Sequence, residues 1–189
     1  DRVTKFITLN EPQCFTGISH LHGEHAPGNK LPQKDLFQMV HNVLKAHGAA
    51  VIALRGHAKR PIEVGYAPTC GMVYPRTETP ENIEACRKYL FTCPENMDNW
   101  TWNVPWFSDP VFLGKYPEDG LKKYAEYLPV ITEEDMALIS QPRTLHRMTL
   151  KITTHSHGAR RNSNTSSSSQ FSSSARPAAM IISISASRK

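Results

Sequence analysis

At 189 residues, with 39% hydrophobic and 21% charged residues, the chain is long enough for one domain that buries roughly 70% of its unfolded surface. No apolar run approaches the roughly 18 residues of a membrane-spanning helix. The four cysteines, Cys14, Cys70, Cys86 and Cys93, lack the paired short spacing of a zinc site, so reduced thiols in a reducing cytosol are expected. The net charge of +5 is unevenly spread: residues 1–142 hold all 17 acidic residues against 14 Lys and Arg, and residues 143–189 hold the other 8 of the 22 basic residues. The composition predicts a mildly acidic globular segment over 1–142, followed by a disordered, basic, Ser- and Arg-rich tail over 143–189.

The chain opens at Asp1 with no initiator Met or address segment before it, and it is expected to be cut at its front. "TKFITL", Thr4 to Leu9, is β-branched and aromatic enough for a strand, and Pro12 stops its ladder. "TGISHLHGEHAPG" follows as a long loop, too long for a minimal connection and therefore expected to be functional. From Gln33 to about His57 apolar residues recur at helical steps, with Asp35 in the first turn and Gly56 at the exit. "IEVGYAP", Ile62 to Pro68, reads as the next strand, and a helix runs from Pro80 to Phe91 or Asn96. "TWNVPWFSDPVFLGKYP" is expected to be an irregular aromatic-rich loop, with short helices after it around Glu118–Tyr127 and Thr132–Ser140. Thr132 and Asp135 form a near capping box for the last.

Strand, long helix, strand, helix is the rhythm of a parallel sheet covered by helices. A TIM barrel fits, because its sites lie on loops at strand C-termini. A Rossmann sheet is disfavoured, because no G-x-G-x-x-G follows either strand. The tail, with "NSNTSSSSQFSSSARP", has no pattern long enough to fold, and its abrupt onset, lack of acid and Ser/Arg bias suggest a shifted reading frame. Phosphate contacts from its arginines would make it a nucleic-acid or acidic-lipid binder. It lacks interleaved aromatics and a helical basic stripe, so neither partner is expected.

At the end of the first strand, "TLNEP" places Glu11 where a carboxylate projects into a barrel's site, whereas mid-strand it would be a costly buried acid. "DRVTKFITLNEP", "GEHAPG", "HNVLKAHGAAV", "WFSDPVFLGKYPEDG" and "LPVITEEDMALI" occur in the order and spacing of the β-glucosidases of glycoside hydrolase family 1, which residues 1–142 resemble. The resemblance implies part of a (β/α)8 barrel, about strands four to five with their helices and loops. It also implies that Glu11 is the general acid/base and that Asn10 hydrogen-bonds the sugar 2-hydroxyl. His25 and Cys14 lie by resemblance beside the leaving-group subsite, where they either touch the aglycone or pack the loop. Leu9 is similar to members acting on unphosphorylated glucosides, and Thr69 stands where many members have Asn.

The chemistry accounts for these residue types. A glycosidic oxygen leaves only once protonated, and the same carboxyl afterwards activates water as a base. Asn can both donate to and accept from a 2-hydroxyl whose bonds strengthen in an oxocarbenium-like transition state. A retaining enzyme also needs a second carboxylate about 5 Å away. The family carries it in an I/V-T-E-N-G motif, whereas "VITEED" continues Glu134-Asp135 at a helix start, so the nucleophile is absent from this chain.

The expectation is therefore a fragment of a cytoplasmic enzyme that hydrolyses β-glucosides or related oligosaccharides, without metal or cofactor, and that is inactive alone. The alternative is a non-catalytic sugar-binding or interaction fragment. His20, His22 and His25 fit no zinc spacing and read as polar surface. Trp100, Trp102 and Trp106 form either a sugar-stacking platform or, the favoured reading, helix-to-barrel packing. His41 and His47 read as packing or surface residues.

Overall fold

A computed structural model describes residues 2–71, 73–141 and 151–153. Strand β1 (Lys5–Asn10) and strand β2 (Glu63–Ala67) pair in parallel, in the register Lys5↔Glu63, Phe6↔Val64, Ile7↔Gly65 and, after an irregularity, Asn10↔Ala67. Parallel neighbours need a crossover, usually a helix. Here the connection carries a short helix α1 (Pro12–Cys14), a π-helical segment (Phe15–Leu21) and the long helix α2 (Gln33–His57).

The bounds of α2 match its periodic stripe. Leu36, Phe37, Val40, Leu44 and Val51 are buried, together with His41 and His47. Phe37 stacks on Trp100 with ring centroids 3.8 Å apart and meets Trp106 edge-on at 5.4 Å. Trp100 donates its indole N–H to Gln33 Oε1 at 2.9 Å, so the core's largest aromatic buries no unpaired donor. Trp100 and Trp106 therefore pack helices, as favoured above, and Trp102 is half-buried.

Two expected loops contain helix. Residues 15–21 wind as a π-helix because Pro12 pre-sets the first turn and the Thr16 hydroxyl donates to Pro12 O at 2.7 Å. His22 N then bonds Gly17 O at 2.9 Å, the five-residue step of a π-turn. Helix α4 (Pro105–Leu113) lies inside the segment read as irregular. Its two prolines and nearly all-round burial hide a helical period. Pro105 is at the first position, Asn103 Oδ1 caps Trp106 N at 2.7 Å, and Gly114 at φ 71° closes the helix.

Asp109 sits half-buried on α4, where burial and then the charge of Asp119 push its carboxyl up to about 6. A raised carboxyl favours the protonated fold, so its contribution is full below about pH 4 and is lost as the pH rises through about 6. Asp109→Asn is expected to raise stability at pH 7 by about 1 kcal/mol, discounted for solvent screening, and to flatten the pH 4–6 slope. Thermal melts at the two pH values check this, and equal gains at both would refute it.

Helix α3 (Pro80–Phe91) has no buried residue, and α5 (Glu118–Lys123) continues through a 3-10 turn, Ala125–Tyr127. Helix α6 (Glu133–Ile139) carries the complete capping box: Thr132 accepts from Asp135 N at 3.1 Å and Asp135 accepts from Thr132 N at 3.3 Å. The Asp135 carboxylate also ion-pairs with Lys45 of α2 and meets His41 Nε2 at 3.3 Å. The Lys45 bond, more than the others, holds its carboxyl well below the usual range. His41 Nδ1 in turn meets the Tyr116 hydroxyl at 2.9 Å. Thr132→Ala is expected to cost about 1 kcal/mol, the usual loss of an N-cap, as a lower urea midpoint at unchanged m.

Strand β3 (Thr69–Gly71) pairs in parallel with β4 (Lys151–Thr153), in the register Thr69↔Lys151, Cys70↔Ile152 and Gly71↔Thr153. Those three residues of β4 fall within the expected tail. The remainder of 143–189 lies outside the described residues, as does the reading of it as disordered.

Candidate active site

Strand β1 delivers Asn10 and Glu11 at its C-terminal end. Glu11 leaves the ladder in the left-handed region, φ 47° and ψ 59°, a conformation that costs a non-glycine residue of the order of 1 kcal/mol. Its N–H donates to Ala67 O at 2.7 Å, so the turn is anchored on the end of β2. Pro12 then opens α1, and Cys14 N closes the turn on Glu11 O at 2.9 Å. The effect is to swing a half-buried carboxyl off the strand axis at the end of the sheet.

Of the four residues expected at the site, three come together. Cys14 Sγ donates to Glu11 Oε2 at 3.4 Å, and Asn10 is exposed directly before the turn. His25 stands exposed further along the loop, tied by its backbone N–H to Ile18 O at 3.4 Å. Thr69 is buried, and its N–H donates to Gln13 Oε1 at 3.1 Å, so its contact is to α1. Among the described residues no disulfide forms, and no group of three or more His, Cys, Asp or Glu is placed to hold a metal ion.

Two positioning contacts were not legible in the sequence. The side chain of Gln13 is fully buried and bridges α1 to β3, fixing the turn that carries Glu11. Thr8, three residues before Glu11, donates to Gly65 O at 3.2 Å and meets His47 Nδ1 at 2.6 Å. A hydroxyl has one proton, so with that proton on Gly65 the His47 Nδ1–H is the donor to Thr8. His47 thus pins β1 to α2, and its ring packs 5.0 Å from Tyr66. Of the two readings open for His47, packing or surface, its burial on α2 supports packing. Its partner 39 residues away was not predictable.

A carboxyl turned outward at the C-terminal end of a parallel strand, with helices covering the sheet, defines the layout of an α/β barrel enzyme. The glycosyl hydrolase family 1 model matches residues 1–183, and the chain belongs to that family of glycoside hydrolases. A 1,4-beta-D-glucan glucohydrolase of Thermotoga neapolitana is 38% identical over 144 residues, covering 75% of this chain and 31% of that protein. Beta-glucosidase A of Thermotoga maritima is 38% identical over 144 residues, 75% of this chain and 29% of its own. The solved family 1 b-glucosidase from Thermotoga maritima superposes with a TM-score of 0.58 at 36% identity, over 76% of this chain and 30% of that one. It has also been solved in complex with glucoimidazole. The chain therefore spans under a third of the length of these relatives, and its fold is that of a TIM-barrel segment.

Proposed function

We propose that this chain is a segment of a retaining β-glucosidase, with β1 and β2 as the fourth and fifth barrel strands. Glu11 is the acid/base that protonates the departing aglycone and then activates water, and Asn10 holds the 2-hydroxyl. Cys14 and His25 line the aglycone side. The substrate is a β-glucoside or related oligosaccharide, and the reaction needs no metal or cofactor. The observation that carries this reading is the left-handed turn at Glu11, which aims a carboxyl from the strand end in a chain of this family. Related structures holding sugar-like inhibitors support the substrate class.

The second carboxylate is to come from outside this chain. Glu133, the acid of "VITEED", opens helix α6 instead of ending a strand. The 189-residue chain is accordingly expected to be inactive by itself. We place the parent enzyme in the cytoplasm and read residues 143–189 as a basic appendage with a shifted frame, binding neither nucleic acid nor membrane.

Grafting residues 1–141 into Thermotoga maritima Beta-glucosidase A, in place of its aligned segment, tests the reading. The graft is expected to hydrolyse a chromogenic β-glucoside and the isolated chain to do nothing. Activity of the isolated chain that disappears on Glu11→Gln would overturn the claim of incompleteness. Glucose-dependent thermal protection without hydrolysis in the graft would favour the non-catalytic sugar-binding alternative.

A further inference from the structure

The last torsion of a glutamate side chain is broad and roughly two-fold, so Glu11 alone does not fix the plane of its two carboxyl oxygens. The turn around it is far stiffer. Glu11 N–H is held by Ala67 O at 2.7 Å, and Cys14 N–H returns to Glu11 O at 2.9 Å. Between them Pro12 and Gln13 are buried, and Gln13 Oε1 takes the N–H of Thr69 at 3.1 Å. The Thr16 hydroxyl donates back to Pro12 O at 2.7 Å. The Cys14 Cβ is therefore fixed relative to the Glu11 backbone, and from there its thiol donates to Glu11 Oε2 at 3.4 Å. Backbone and side chain of Cys14 thus close on the same residue.

We propose that Cys14 is a positioning residue for the acid/base: its thiol fixes the plane of the Glu11 carboxyl and directs the acid's proton to the oxygen turned away from the sulfur. A thiol has one proton to donate and is a poor acceptor. When Glu11 is protonated, Oε2 therefore stays the carbonyl oxygen that receives the S–H, and the hydroxyl is on Oε1. The proton that passes to the glycosidic oxygen as its bond to the sugar breaks then leaves from one fixed place. In the second step the carboxylate keeps the same plane, and Oε1 takes the proton from water. Cys14 works through Glu11 and needs no contact with the sugar. This role rests on Glu11 being the acid/base, as proposed above, and goes beyond lining the aglycone side. A lining residue changes how tightly one aglycone binds, whereas a positioning residue changes how fast any aglycone is protonated.

The contact is tested in the full chain by alkylation with iodoacetamide, followed cysteine by cysteine by mass spectrometry. The thiolate is the reactive form, and a carboxylate beside it disfavours that form, so Glu11→Gln is expected to speed alkylation of Cys14 by about tenfold. Cys86, half-buried on α3, is expected to keep its rate. Equal Cys14 rates in the two chains, at unchanged circular dichroism, would overturn the contact and the role with it. The role itself is tested in the graft of residues 1–141 into Thermotoga maritima Beta-glucosidase A. There Cys14→Ala is expected to lower kcat on an alkyl β-glucoside by about three- to tenfold with KM nearly unchanged. The loss is expected to shrink with activated aryl aglycones, which need less help from an acid, and Cys14→Ser, which restores a donor, is expected to recover most of it. A rise in KM at constant kcat, an equal loss on every aglycone, or a serine variant no better than alanine would each overturn the positioning role. A graft that depends on Glu11 and is indifferent to Cys14 sinks that role alone, whereas a graft without activity removes it together with the catalytic proposal.

Discussion

Replacing Gly48 by alanine is expected to destabilise the chain by about 2 kcal/mol or more, and valine by more still, although helix propensity alone argues the opposite sign. In the middle of a helix, alanine is better than glycine by about 1 kcal/mol. At this position a Cβ would lie 1.8 Å from Leu138 O and 2.6 Å from Leu138 C, both backbone atoms of α6. Backbone cannot step aside as a side-chain tip can, so the whole of α6 must withdraw from α2. Its withdrawal is resisted from two sides: Thr132 and Asp135 hold its first turn, and Asp135 is tied to Lys45 and His41 of α2. Overpacking of this sort costs about 1–3 kcal/mol and occasionally more, which outweighs the propensity gain. Urea unfolding followed by tryptophan emission reads the effect, since Trp100 and Trp106 lie in the same core. A Gly48→Ala chain as stable as the original would show that α6 is not seated as described.

The same contact shows which parts of the fold were legible in the sequence. Helix α2, expected from Gln33 to about His57, was readable because its apolar stripe, Asp35 in the first turn and Gly56 near the exit all agree. The cap of α6 was readable because a capping box is a local code. Gly48 within α2 was not singled out, since its reason is a carbonyl 90 residues away. Helix α4 was missed for a related cause: it is buried nearly all round, so it shows no amphipathic period, and Pro110 inside it reads as a breaker. The π-helical segment after Glu11 depends on one hydroxyl, Thr16, returning to Pro12 O. Side-chain bonds of that kind leave no periodic trace.

The candidate site divides in the same way. Glu11 at a strand end was legible, because a strand pattern stops at Pro12 and an acid sits at the stop. Its left-handed backbone, the Cys14 thiol on its carboxylate, and Gln13 bridging to Thr69 were not. The first and third rest on Ala67 of β2 and Thr69 of β3, more than 50 residues away, and the second on the turn they hold, which no local pattern encodes. The His47–Thr8 pin adds a third long-range tie, so the turn that presents Glu11 is braced by α2, β2 and β3 together.

In a completed barrel, Glu11→Gln is expected to lower turnover of alkyl or sugar β-glucosides by about 10²–10⁴-fold, the usual worth of a general acid/base. Glutamine keeps the shape of the side chain, so the Ala67 anchor and the turn survive, and only proton transfer is lost. The loss should depend on the aglycone. A leaving group stable enough to depart unprotonated needs no acid, so the first step survives with activated aryl glucosides and the glycosyl-enzyme forms. Its hydrolysis still needs a base to take a proton from water. The intermediate therefore accumulates, giving a burst of released aryl alcohol and a fall in KM alongside kcat. Azide, a nucleophile with no proton to surrender, should restore turnover by attacking the glycosyl carbon and displacing the enzyme carboxylate, with a β-glycosyl azide as product. A structural role for Glu11 predicts none of this pattern. A uniform loss across all aglycones, with no burst and no response to azide, would remove Glu11 from the chemistry and leave it as a turn residue.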